Sequence, residues 1–396
     1  MKNRFAFGFY LTTIFGIFLY SFTQIDLSLT FSRVTLLRNV VTAFQYIGYF
    51  NRPLSTYIYA ALLALLFGFY FYFLKLTVKK KLEKKTFWKI ILVTAGFLVF
   101  SYNAFSYDLF NYIFDAKIFT HYHMNPYFHK ALDFSGDPML SFMRWTHRVY
   151  PYGPVWLIMT IPLSYLGLNF FIPTFFLFKI LIASSYLGSL YFIGKILRKI
   201  KPDRETFGMV FFGLNPLVII ECLVSTHLDI VMIFFALFAT YNLVNKKYLF
   251  AVVLLFVSIG VKFSSVFLLP VFFVVIFLQI KRKKINWDKV FVWSFILTCL
   301  TVIFASVYSG NFQPWYLILP FSYALFASHK YYIFIAVIST SIFALSTYMP
   351  YLYLGNYDPP VPQVFNIIYW TALIITIITI LFYYFKHKSF ASLSSV

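Results

Sequence analysis

The sequence predicts an all-α polytopic membrane protein, a bundle of about twelve transmembrane helices. Three observations carry the prediction. Of 396 residues, 61% are hydrophobic and 11% charged, where a soluble domain carries roughly a quarter charged. The apolar residues fall in runs about long enough for a helix to cross roughly 30 Å of hydrocarbon. Short Lys/Arg clusters separate those runs. Lipid offers no partner to an unpaired backbone group, so each run must close its hydrogen bonds internally, as a helix does.

Taken in order, the runs lie at 5–23, 55–77, 87–105, 172–195, 206–222, 229–245, 248–260, 265–280, 289–309, 315–328, 331–349 and 364–385. The first follows a charged start, as in a signal peptide, but no small-residue cleavage site comes after it, and it reads as a retained span. Basic clusters at 2–4, 79–85, 195–204, 246–247, 281–289, Lys330 and 386–388 mark loops that stay in the cytoplasm. They fix the parity of the crossings and put both termini inside, in a multi-pass protein of the plasma membrane. Residues 155–166 are apolar, yet a crossing there would carry the 195–204 cluster outside. Pro151, Pro154 and Pro162 favour a short helix at the outer interface instead. Residues 106–171 then form one long outer loop with interfacial helices, too rich in Tyr, Trp, Phe and His to be disordered.

The net charge of +21 is scattered between apolar runs rather than gathered in a domain or tail, which argues against nucleic acid and for the lipid bilayer as partner. Cys222 and Cys299 lie in apolar segments without metal-ligand or disulfide spacing, and read as packing residues. Lys179 and Lys262, the cations nearest mid-span, can snorkel to the interface.

Twelve acidic residues divide by side. Glu83, Asp203, Glu205 and Asp288 lie among cytoplasmic lysines and arginines, as solvated loops do. Asp26, Asp108, Asp115, Asp133, Asp137, Glu221, Asp229 and Asp358 fall on the outer side. Asp108 and Asp229 stand against expected span ends, where desolvation raises the energy of a carboxylate and so demands a reason. Asp108 belongs to Ser106-Tyr107-Asp108-Leu109-Phe110-Asn111-Tyr112, followed by Asp115 and Lys117. His121 and His123 come next without a third ligand at diagnostic spacing, so no metal is expected. Glu221 and Thr226-His227-Leu228-Asp229 occupy a short outer turn, either hydrogen-bonding to close it or forming a site. Arg144, Arg148 and Lys262 supply cations on the same face, and the planar fork of Arg suits a phosphate.

Four stretches together resemble the GT-C glycosyltransferases, especially the polyprenyl-phosphate-mannose-dependent mannosyltransferases of bacteria and archaea. They are the Ser106–Tyr112 stretch with Asn125-Pro126-Tyr127 after it, Tyr150-Pro151-Tyr152-Gly153-Pro154, Asn215-Pro216-Leu217 with His227-Leu228-Asp229, and Gln313-Pro314-Trp315-Tyr316. The resemblance spans residues 100–320. It implies an 87–330 catalytic module between two-span segments at 1–86 and 331–396, and a long first outer loop. It also implies inverting transfer of a hexose, mannose by analogy, from a polyprenyl-phosphate donor to a glycan, lipid or protein acceptor at the extracytoplasmic face, without a cofactor. The acid opening that loop is the family's catalytic base, and Asp108 stands there. This chain has Asp-Leu-Phe where some members carry two acids separated by one residue.

A phosphate leaves as a stable anion and needs cations rather than an acid. Arg144, Arg148, Lys262 and His227 are the candidates for the donor phosphate. Tyr107, Tyr112, Asp115, Glu221, Asp229, Trp315 and Tyr316 are those for sugar and acceptor, although interfacial aromatics also serve as ordinary belt anchors. Two alternatives share the topology: a transporter or flippase of lipid-linked sugars, and an enzyme that polymerises or ligates glycans with a pyrophosphate leaving group.

Overall fold

The computed structural model describes residues 2–29 and 34–393, with side chains for 5–29 and 34–385. The basic clusters at 2–4 and 386–388 therefore lie outside the described side chains. Among the described residues every regular element is helical. The chain begins with α1 (Lys2–Ser21), α2 (Thr35–Gln45), α3 (Arg52–Val78), α4 (Lys84–Leu98), α5 (Asp108–Thr120), α6 (Pro154–Leu166) and α7 (Phe171–Ile200). It continues with α8 (Glu205–Gly213), α9 (Pro216–Ile219), α10 (Asp229–Val244) and α11 (Tyr248–Val261). Further long helices follow.

All twelve expected runs are helical, but they are not alike. Seven are long and apolar enough to cross a membrane, and an eighth is the pair 202–213 and 216–224, bent by 56°. The other four are shorter: α4 has 15 residues, α10 16 and α11 14, and the fourth covers 314–327. Fourteen residues rise only about 21 Å. Short helices suit the interior here, because α10 is wrapped by α7 and α11 and meets protein rather than lipid along most of its length.

The long α7 separates two ends of the bundle by about 45 Å. At its start, Phe171 packs its ring against Phe110 of α5 and Phe142. At its other end the basic clusters meet. Arg198 and Lys84 both reach Glu205, Lys199 donates to Asn245 Oδ1 at 2.6 Å, and Lys201 pairs with Asp288 beside His329. Loops far apart in sequence, chosen for their positive charge, thus converge on one end, away from Asp108.

The 106–171 region is a folded unit in which α5 and α6 pack on each other and on α7. Residues 155–166 form the expected short helix, with Pro162 inside it. Asp137 holds the intervening loop, accepting from Tyr122 Oη at 2.7 Å and Met139 N at 2.9 Å and pairing with Lys117. Two of the motif stretches are bound together: Tyr150 N donates to Pro126 O at 3.0 Å, and Tyr127 Oη to Tyr152 O at 3.1 Å. The second stretch then clamps onto α11, where Gly153 N donates to Val261 O at 3.3 Å. A Cβ at Gly153 would lie 2.1 Å from the Gly260 carbonyl oxygen, so only glycine allows this approach.

Three sequence expectations change. Lys179 does not snorkel: it is buried, and its Nζ donates to Ser101 O at 2.8 Å and Ser101 Oγ at 2.9 Å, just beyond the end of α4. The run expected at 87–105 accordingly stops at Leu98, and Asp108 begins a helix of its own rather than following a span directly. The sequence reading also gave no helix at 35–45. This one is amphipathic, with Leu36, Leu37 and Val40 exposed, a composition that helices lying in a membrane interface share.

Gly153→Ala should lower the stability of the purified protein by about 1–3 kcal/mol, the usual cost of overpacking, while Gly136→Ala, whose Cβ meets nothing within 4 Å, should not. Thermal unfolding followed by tryptophan fluorescence checks this; equal melting temperatures for the two variants would contradict the clamp.

Candidate active site

The site begins with an unbroken buried stretch. Every residue from 208 to 233 is buried, including Glu221, His227 and Asp229. The sequence reading placed these in a short outer turn; they do lie where one helix gives way to the next, and that connection is buried. Asn215 starts the arrangement, capping α9 by accepting from Leu217 N at 2.9 Å and donating to Ser341 Oγ at 3.0 Å. A single π turn, Ile220–Val224, carries Glu221; such turns inside helices frequently mark functional sites. Thr226 then adopts φ +59°, uncommon for a β-branched residue and a source of local strain. These two departures from a plain helix-to-helix turn aim Glu221 and His227 at Asp108.

Asp108, the first residue of α5, is 8% exposed. One carboxyl oxygen lies 3.8 Å from Arg148 Nη2 and the other 3.7 Å from His227 Nδ1. His227 Nε2 lies 3.2 Å from Glu221 Oε2, and Glu221 Oε1 accepts from Tyr348 Oη at 2.9 Å. The imidazole stacks on Trp315 with centroids 3.9 Å apart and planes 19° apart. Beside this chain, Lys262 Nζ donates to both oxygens of Asp229 at 2.8 Å and lies over the Tyr316 ring. Lys262 thus answers a buried carboxylate rather than snorkelling.

Burial raises the Asp108 carboxyl above the ordinary carboxylate range, opposed by Arg148 and Lys262 and assisted by Asp229. Burial, with Lys262 adding to it, holds His227 well below the usual imidazole range. Asp115 lies two turns along α5 from Asp108 and is pushed up to about 7 by burial, which outweighs the pull of Arg148.

The structure therefore gathers Asp108, Arg148, His227, Glu221, Asp229, Lys262, Trp315 and Tyr316. It turns Arg144 and Tyr107 to a neighbouring acid: Tyr107 Oη donates to Asp26 Oδ2 at 3.2 Å, Arg144 Nη2 lies 3.7 Å from the same oxygen, and the guanidinium covers the Tyr107 ring. Tyr112 belongs to the site as well: its ring is edge-on to Tyr152 and Trp156, and its hydroxyl is a hydrogen-bond partner of Asp108. His227 and Glu221 are fully buried, and both ring nitrogens of His227 and Oε2 of Glu221 are left without a hydrogen-bond partner. Sequence reasoning missed three partners. Tyr152, whose hydroxyl lies 3.4 Å from Arg148 Nη2, and Asp26 were in view but had no assigned contact. Tyr348 carried no signal, since a lone tyrosine in an apolar run looks like any other. Among the described residues no group of three or more His, Cys, Asp or Glu side chains is arranged to hold a metal ion.

A family model described as alpha-(1->6)-mannopyranosyltransferase, N-terminal domain, matches residues 13–278, more than half of the chain. No curated protein and no solved structure matches it.

With Asp115 protonated in the folded protein up to about pH 7 but in the unfolded chain only to its ordinary value of 3.8, the folded state holds the extra proton between those values. Its contribution to stability therefore falls as pH rises through that window. Asp115→Asn should raise the melting temperature more at pH 8 than at pH 5; an equal shift at both would show that Asp115 titrates normally.

Proposed function

The chain belongs to the alpha-(1->6)-mannopyranosyltransferase family, and from that premise we propose that it moves mannose from a polyprenyl-phosphate donor to a glycan, lipid or protein acceptor at the extracytoplasmic face, with inversion. Family membership makes it a membrane glycosyltransferase that transfers a mannosyl group, and argues against the transporter alternative.

The observation that carries the finer reading is the setting of Asp108. It is a carboxylate at a helix start, with a cation on one oxygen, an imidazole on the other, and aromatic rings alongside. An acceptor hydroxyl within about 3 Å of such a group can lose its proton as it attacks. The new bond joins that oxygen to the anomeric carbon. The bond from the anomeric carbon to the phosphate oxygen breaks, its electron pair departs with the lipid phosphate, and the proton passes to Asp108.

The geometry also sorts the cations. Lys262 is committed to Asp229 through two short bonds. Arg148 and Arg144 are held loosely, at 3.8 and 3.7 Å from their acids, on one loop beside Asp108. We assign the donor phosphate to these two arginines and give Lys262 a positioning role. Trp315 and Tyr316 remain the aromatic surface for a sugar ring. The convergence of the basic clusters on the far end of α7 supports an outward site with both termini inside.

Purified protein given polyprenyl-phosphate mannose and a panel of acceptors should release free polyprenyl phosphate and mannosylated product. Asp108→Asn should lose about a hundredfold or more of that activity, as expected of a general base, with its melting temperature kept. Retention of more than about a tenth of the activity would remove Asp108 from the role.

A further inference from the structure

The role of Asp108 leaves a question about the two groups behind it. His227 is fully buried and presents a ring nitrogen to a carboxyl group on each side, Asp108 at Nδ1 and Glu221 at Nε2. A neutral imidazole has one N–H and one lone pair. If both carboxyl groups were ionised, one nitrogen would aim its lone pair at an anion, and two buried acceptors would share a single hydrogen. An imidazolium would serve both acids, but only with Glu221 ionised as well, two further buried charges where a hydrogen kept on the carboxyl leaves none. The remaining arrangement puts one hydrogen on the ring and one on a carboxyl.

We propose that the carboxyl is Glu221, and that by donating from Oε2 to Nε2 it fixes His227 as the Nδ1–H tautomer, whose hydrogen is turned on Asp108. The inference rests on reading Asp108 as the base: the opposite tautomer, with Nε2–H on an ionised Glu221, would require a protonated Asp108 and leave no base.

Three further observations agree. Among the described residues, no lysine or arginine lies within ion-pair distance of Glu221, whose side chain is 0% exposed. An ionised carboxylate there would be unbalanced. Tyr348 donates to Oε1 at 2.9 Å, which leaves Oε2 as the oxygen that carries the hydrogen. With Glu221 neutral, the two remaining acids, Asp108 and Asp229, are matched by Arg148 and Lys262. The groups facing the pair from other elements are Asp108 from α5, Asp229 from α10, Lys262 beyond α11, Trp315 in the stack, Tyr348 from the C-terminal segment and Tyr59 from α3, whose hydroxyl donates to Leu345 O at 3.0 Å. Both contacts of the ring are looser than hydrogen bonds, Nδ1 by its distance of 3.7 Å to Asp108 and Nε2, 3.2 Å from Glu221 Oε2, by its alignment, as catalytic contacts often are before substrate binds. Glu221 and His227 are then positioning residues. They anchor one oxygen of Asp108 and leave the other for the hydroxyl.

Glutamine distinguishes this reading from its rivals, because its amide oxygen can accept from Tyr348 while its NH₂ donates to Nε2. Glu221→Gln should keep kcat within about threefold, while Glu221→Ala, which removes the donor, should lower kcat about tenfold or more, in the range of lost orienting partners, and leave the donor KM within about twofold. On wild-type protein labelled with ¹⁵N-histidine, with His227→Gln for assignment, His227 should show a protonated Nδ1 and an unprotonated Nε2 at neutral pH. A Glu221→Gln variant as inactive as Glu221→Ala, an Nε2–H tautomer, or an imidazolium would each overturn the inference. An active Asp108→Asn would instead overturn the base assignment, so the two failures are told apart; the spectrum needs no catalytic variant to fold.

Discussion

The arrangement depends on balancing charge where neither water nor lipid can do it. Ionised groups inside a membrane protein are costly, and they persist when paired or hydrogen-bonded. Here Asp229 is held by Lys262, Asp108 faces Arg148, and Glu221 lies beside an imidazole and accepts from a phenol. No single element supplies these partners. The start of α5, the loop before α6, the π turn before α10, the break after α11, the 314–317 turn and Tyr348 all contribute, so the bundle must be assembled before the site exists.

That requirement explains features of the fold that would otherwise seem wasteful. The bend between α8 and α9 and the strained Thr226 interrupt what could have been a plain hairpin of spans. They bring Glu221 and His227 under Asp108. Short α10 and α11 keep Asp229 and Lys262 at the level of the site, and the close approach of Gly153 to Gly260 ties the Arg148 loop to the end of α11. Strain of this kind survives only where surrounding packing determines it, and here the surroundings are among the most completely buried residues in the chain.

Much of this was legible from the sequence. Apolar runs located the helices because hydrophobic length is set by the bilayer, and the basic loops foretold two ends. Asp108, Arg148, His227, Glu221 and Asp229 stood out as polar residues in apolar surroundings. What could not be read was direction. Local sequence does not say that Arg144 turns to Asp26, that Lys262 belongs to Asp229, or that Lys179 bonds Ser101; those pairings come from tertiary packing. Helix α2 was missed because the reading looked for spans, and Tyr348 because nothing local distinguishes its hydroxyl. The twelve runs also looked more uniform than they are, since buried helices need not match the bilayer thickness.

The central claim is that donor and acceptor meet at Asp108, with the donor phosphate on the loop arginines. The most direct measurement is a structure with a non-transferable polyprenyl-phosphonate analogue of the mannosyl donor. We expect the phosphonate between Arg148 and Arg144 and the anomeric carbon facing Asp108, with Lys262 still on Asp229. A phosphonate bound at the basic end of the bundle, or on Lys262 with the sugar turned from Asp108, would contradict the account.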